Sequence, residues 1–115
     1  MDQTCINLAI VLESLFSPTN QMELTHQISF NASQFLGDDK EEKRLLYKLF
    51  KRFYSLRSKI VHGNIPDHKE LFVVTSVIFI LCSEILKKIY LDIGIAKFFI
   101  EDKKRSELFS NWMFS

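Results

Sequence analysis

Glycine and proline are scarce in this chain, three of one and two of the other among 115 residues. So few turn formers argue against a turn-rich β fold and for helices joined by short connections. The three glycines are isolated from one another, which leaves no glycine-rich loop to cradle a phosphate. Cysteine is equally rare, and Cys5 and Cys82 stand far apart in no paired spacing. That argues against a disulfide framework. With His26, His62 and His68 scattered, it also provides no zinc-ligand pattern, so neither a metal nor another cofactor is expected. No signal peptide is visible, and the two thiols are read as reduced in a cytoplasmic protein. No serine occupies a nucleophile-elbow context.

Long apolar runs are missing too. The longest, residues 71–86, is interrupted by Thr75, Ser76, Ser83 and Glu84. It is shorter than the ~20 apolar residues a bilayer crossing requires, so no membrane span is expected. A central helix buried on most sides is the favoured reading of this run. Its β-branched residues Val73, Val74, Thr75, Val77 and Ile78 keep a buried strand as the alternative.

What remains is the composition of a folded domain. Apolar residues make up 47% and charged residues 25%, and 115 residues allow one core. The chain reads as a single domain, whole in itself or cut from a longer protein. Eleven phenylalanines imply a bulky core or a buried partner surface.

The periodicity predicts four or five helices. The first covers residues 2–16, with Ile6, Leu8, Ile10, Val11, Leu12, Leu15 and Phe16 on its apolar side, and Ser17-Pro18-Thr19-Asn20 ends it. The second covers residues 21–36, and Gly37 fits a left-handed position just past its end. Asp39, with Glu42 three residues on, marks the N-cap of a third helix whose stripe runs Leu45, Leu46, Leu49, Phe50, Phe53, Leu56, Ile60. Gly63 and Pro66 stop it just past His62. Asp67 and Glu70 repeat the capping pattern at the start of a fourth helix, which lasts to about residue 91 and is broken by Gly94. A fifth covers residues 95–112. The expected fold class is all-α, an up-and-down bundle with short connections.

The net charge of +1 gives no reason to expect nucleic-acid binding, but the charge is unevenly placed. Between Lys40 and His62 lie eight basic residues and two acidic ones, a local charge of +6 that the rest of the chain offsets. A basic stripe beside an apolar stripe on one helix is the footprint a phosphate backbone requires. The same pattern also describes a solvated face whose lysines pair with acids on neighbouring helices. Lys51, Arg52 and Lys59 are the RNA-contact candidates, because they approach the end of this helix. Tyr47, Tyr54 and Trp112 are of a kind to stack on bases, although aromatics at helical spacing more often belong to a core.

The basic helix ends in Arg57-Ser58-Lys59-Ile60-Val61-His62-Gly63. Arginine offers a permanently charged fork suited to phosphate, and histidine moves protons near neutral pH. Together they suffice to cut RNA without a metal, His62 as general base or acid and Arg57 stabilising charge on the phosphate oxygens. Five positions on an ideal helix rotate by about 140°, so the two do not share a face, whereas Ser58 and His62 do. Two geometries reunite them: a last turn that loosens before Gly63, or two copies of the motif meeting across a symmetric dimer. The bland reading makes Arg57 a salt-bridge partner of Glu13 or Glu84, and His62 a capping residue.

The string Leu56-Arg57-Ser58-Lys59-Ile60-Val61-His62-Gly63 resembles the motif of HEPN domains, particularly the Apea-like branch. That motif is an arginine, usually a polar residue, then three more positions to a histidine. Leu12-Glu13-Ser14-Leu15-Phe16, Glu23-Leu24-Thr25, residues 28–37 and the Leu-, Tyr- and Phe-rich approach to Arg57 are similar to the same branch. The resemblance covers about residues 8–95 and is weakest in the tail. It implies a four- or five-helix domain that dimerises and often acts as a metal-independent endoribonuclease in defence or toxin systems, including antiviral ones. Arg57 and His62 match its catalytic pair, and Ser58 holds the supporting polar position. Ser58 departs from the Asn, Asp or His commoner there, which weakens the ordering of the histidine. Asn31 stands where that branch leads one to expect a basic residue, which removes one auxiliary RNA contact. The implied reaction is attack of an RNA 2′-hydroxyl on the adjacent phosphate, for which DNA has no nucleophile. The implied partners are single-stranded RNA, a second copy of the chain, and an antitoxin or attached sensor domain. A non-catalytic helical module that binds a nucleotide, RNA or a protein is the competing reading. A purely structural role for Arg57 is a third.

Overall fold

The computed structural model describes residues 1–17, 24–92, 94–95, 97 and 102–114. Among them are five α-helices and no strand: α1 (Asp2–Phe16), α2 (Leu24–Leu36), α3 (Lys40–Val61), α4 (His68–Leu91) and α5 (Asp102–Phe114). The all-α expectation is met. The helix ends follow from local chemistry. Asp39 is extended, and its carboxylate accepts the Glu42 backbone N–H at 2.8 Å; Asp67 does the same for Glu70 at 3.0 Å. Each side chain satisfies a donor that the first helical turn leaves without a partner. At the end of α1, the buried Asn31 amide donates to the Phe16 carbonyl at 3.0 Å. At the end of α2, the Lys88 ammonium donates to the Phe35 carbonyl at 2.7 Å and lies over the Phe35 ring. The position expected to lack a basic RNA contact is thus occupied by an internal cap.

The core forms where the helical stripes converge. Leu8, Leu12 and Phe16 of α1 meet Ile28 and Phe35 of α2, Phe50, Phe53 and Leu56 of α3, and Leu71, Ile78 and Ile85 of α4. Phe16, Phe50 and Phe53 are wholly buried, and each such ring contributes roughly 3 to 5 kcal/mol against truncation to alanine. α2 packs most extensively against α3, α1 touches α2, α3 and α4, and α5 lies on α2. Phe109 and Trp112 of α5 pack against Phe16 and Phe35.

Several expectations need correction. Residues 71–86 lie within one helix, which removes the strand reading. No described helix is long and apolar enough to cross a membrane. α4 is not buried on most sides: Leu71, Val74, Thr75, Ile78, Cys82 and Ile85 form one covered stripe, while Phe72, Val73, Phe79 and Ile80 each leave more than half their surface exposed. A helix apolar all round shows no stripe in sequence, so its periodicity does not reveal which face the bundle covers. Leu45 and Ile10, counted among the apolar faces, point to solvent. Gly37 is not left-handed; among the described glycines only Gly63 has positive φ. What Gly37 provides is room, because a β-carbon there would lie 3.0 Å from backbone atoms of Lys43 and collide with that side chain. The fourth helix ends at Leu91, where it was expected to, and the carboxylate of its C-cap Asp92 accepts the Ile95 N–H at 3.2 Å. The start expected for the second helix, and Pro18, Thr19 and Asn20 before it, lie outside the described residues. The fifth helix, expected from residue 95, is described from Asp102, with part of the intervening stretch also outside them.

Candidate active site

The last turn of α3 closes regularly. His62 N–H donates to the Ser58 carbonyl at 3.0 Å, Gly63 N–H to Ile60 at 3.1 Å, and Asn64 N–H to Lys59 at 2.8 Å. This crossed pair of bonds around a glycine at φ +79° is a Schellman motif. It leaves His62 exposed as the C-cap residue, with Ser58 exposed one turn earlier on the same face. Because the helix holds to Val61, the loosened last turn is not the geometry adopted.

Arg57 is on another side of α3, within the arc that carries Phe50, Phe53 and Tyr54. Its side chain is 35% exposed, and Nη2 lies 3.8 Å from Oε1 of Glu13 on α1, a contact too long for a hydrogen bond. Its Nε is buried without a hydrogen-bond partner among the described residues. The guanidinium is felt by its neighbours. Burial pushes the Tyr54 phenol up, Glu13 adds to this, and Arg57 opposes it. Burial likewise raises the Cys5 thiol, with the Thr75 side chain and Arg57 pulling the other way. Of the two acids named as partners, Glu13 is the one the structure brings to Arg57. Within one copy, the helix therefore separates the two residues of the motif.

The RNA-contact candidates divide. Arg52 is bound to Glu70 of α4, so its charge is neutralised locally. Lys59 is exposed beside His62. Lys51 is exposed, with its ammonium 5.7 Å from the centre of the Tyr47 ring. Tyr54 is core, donating to the Ala9 carbonyl at 3.3 Å, and Trp112 is partly buried. Tyr47 is different. It borders a cleft between α2 and α3 and bonds to His26, 21 residues earlier, a pairing no spacing rule exposes. Among the described residues no three histidine, cysteine, aspartate or glutamate side chains gather as metal ligands would.

No protein-family model, curated protein or solved structure matches the chain.

Proposed function

We propose that this chain is a metal-independent endoribonuclease of a defence or toxin system, acting on single-stranded RNA as a homodimer in the manner of an Apea-like HEPN domain. The observation that carries this reading is the end of α3. An exposed histidine is fixed there by a glycine-dependent cap on a strongly basic helix, one turn beyond an arginine held by nothing closer than a 3.8 Å ion pair. In the reaction, the 2′-oxygen bonds to the adjacent phosphorus and the bond from phosphorus to the 5′-oxygen breaks. His62 takes the 2′-hydroxyl proton, and the imidazolium so formed gives it to the leaving 5′-oxygen. Arg57 stabilises the charge that accumulates on the phosphoryl oxygens. The products are a 2′,3′-cyclic phosphate and a 5′-hydroxyl.

The 140° offset between Arg57 and His62 makes a shared site the economical arrangement. The exposed apolar side of α4, which starts just beyond the motif, is the surface we assign to the second copy. Apolar patches of this kind on a soluble domain mark contact surfaces. An antitoxin or a sensor domain fits the same scheme as a regulator.

The purified chain should cleave single-stranded RNA in excess EDTA and leave DNA intact. Arg57→Ala and His62→Ala should each lower the rate at least 100-fold with circular dichroism unchanged. Two variants that cut as well as the wild type overturn the assignment. The approach of Arg57 to Glu13 favours a second reading, a non-catalytic module that binds a nucleotide, RNA or a protein. Tight RNA binding without turnover, indifferent to His62→Ala, decides for that one.

A further inference from the structure

The α2–α3 pair opens outward into a cleft that the chemistry above does not use. One cavity of about 400 Å³ is lined by His26, Phe30, Lys40, Lys43 and Tyr47, among others. It adjoins at His26 a second of about 470 Å³, bordered by Lys51. His26 Nδ1 and the Tyr47 hydroxyl are 2.5 Å apart, and their rings meet edge to face at 5.5 Å. The pair thus fixes an aromatic wall from one helix to the next. Arg44 also borders the cleft, but both oxygens of Glu41 hold its guanidinium at 2.7 and 2.9 Å. Lys40, Lys43 and Lys51 form no ion pair among the described residues, and no described carboxylate lines either cavity.

Three unpaired cations around a concave wall of aromatic rings satisfy the two demands of a nucleic-acid strand, phosphate neutralisation and base stacking. The extent of the site indicates its ligand. Lys40 and Lys51 are eleven residues apart on α3, about 16 Å along the axis. At about 3.4 Å per stacked nucleotide, that length accommodates four or five, so a strand fits where a mononucleotide would leave most of the site empty. By the helical period, Lys40, Tyr47, Lys51, Ser58 and His62 also follow one outward line along α3.

We infer that the α2–α3 cleft is a binding site for single-stranded RNA, with Tyr47 and His26 packing a base and Lys40, Lys43 and Lys51 taking phosphates. The choice of RNA over DNA rests on the ribonuclease reading. The placement of the strand in this cleft does not. The test measures fluorescence anisotropy of a labelled ten-nucleotide RNA in EDTA, on the full chain carrying His62→Ala so that the strand survives. A Lys40→Glu/Lys51→Glu variant changes only exposed side chains, and circular dichroism checks its fold. It should bind at least tenfold more weakly, with a salt slope shallower by about 1.4, as two lost phosphate contacts require. Tyr47→Ala should weaken binding while leaving the salt slope unchanged. Binding within twofold of the parent for the double lysine variant overturns the inference, as does adenosine monophosphate competing as well as the ten-mer. Wild-type chain that binds RNA in this lysine-dependent way but never cuts it sinks the ribonuclease reading and leaves the cleft standing. Cleavage that persists in the lysine variant, with unchanged KM, does the reverse.

Discussion

Gly63 governs where His62 sits. Its φ of +79° lies in the left-handed region, and nothing lies within 4 Å of where a β-carbon would be placed. The constraint is therefore the backbone itself and not crowding. An L side chain in this region costs about 1 to 2 kcal/mol, so Gly63→Ala should lower stability by that amount, read as a reduced urea midpoint with unchanged slope. If the cap also positions the histidine for catalysis, the RNA-cleavage rate should fall further than stability accounts for. A rate matching the wild type under conditions where both are folded would separate His62 from its cap. Gly37 makes the opposite case, for there the missing side chain accommodates the Lys43 backbone while φ is ordinary. The sequence offers the same letter at both positions, and only the packing of α3 against the α2–α3 turn tells them apart.

Among the elements, α3 was the most readable and α4 the least, for one reason. The boundaries of α3 are set by local chemistry: an Asp39 cap bonded to Glu42, a stripe from Leu46 to Ile60, and a glycine stop. Those signals lie within a few residues of each other and need no tertiary knowledge. The ends of α4 were nearly as clear, through Asp67, but its orientation was not, because Phe72, Val73, Phe79 and Ile80 are as apolar as the residues it buries. The pairing of His26 with Tyr47 was invisible for a similar reason, since it depends on how two helices align. The meeting of α1, α3 and α4 also holds three neutral acids, Cys5, Tyr54 and Cys82. Burial raises the Cys82 thiol from 9.0 to about 11 in the folded chain. Between those values the unfolded chain has lost a proton that the folded chain keeps, so stability falls as pH rises. Stability should therefore be independent of this group below pH 9 and decline through about pH 11, by roughly 2 to 3 kcal/mol for Cys82 alone. Urea midpoints measured from pH 8 to 11 should trace that decline, and Cys82→Ala should flatten part of it. A variant with the wild-type slope would remove Cys82 as its source.

For the whole molecule, the two surfaces of interest lie on different sides of one bundle: an apolar face on α4, and the basic, aromatic cleft between α2 and α3. A shared catalytic site follows only if the first brings two copies together. In a symmetric dimer of 13.5 kDa chains, an Arg57 from one copy then works with a His62 from the other. Mixing inactive Arg57→Ala with inactive His62→Ala should restore activity, because each mixed dimer carries one site with both residues intact. Random pairing makes half the dimers mixed, each with one working site of two, so recovery should reach about a quarter of the wild-type rate. A site contained within one copy gives no recovery, since every copy lacks one member of its own pair. Adding Phe72→Asp and Ile80→Asp to both variants should abolish the recovery and halve the mass seen by sedimentation. These two side chains are 60% exposed in the single copy, so the bundle has no need of them to fold. Recovery that survives the aspartates moves the dimer contact away from α4, whereas the absence of any recovery in a chain that does dimerise returns Arg57 to its place beside Glu13.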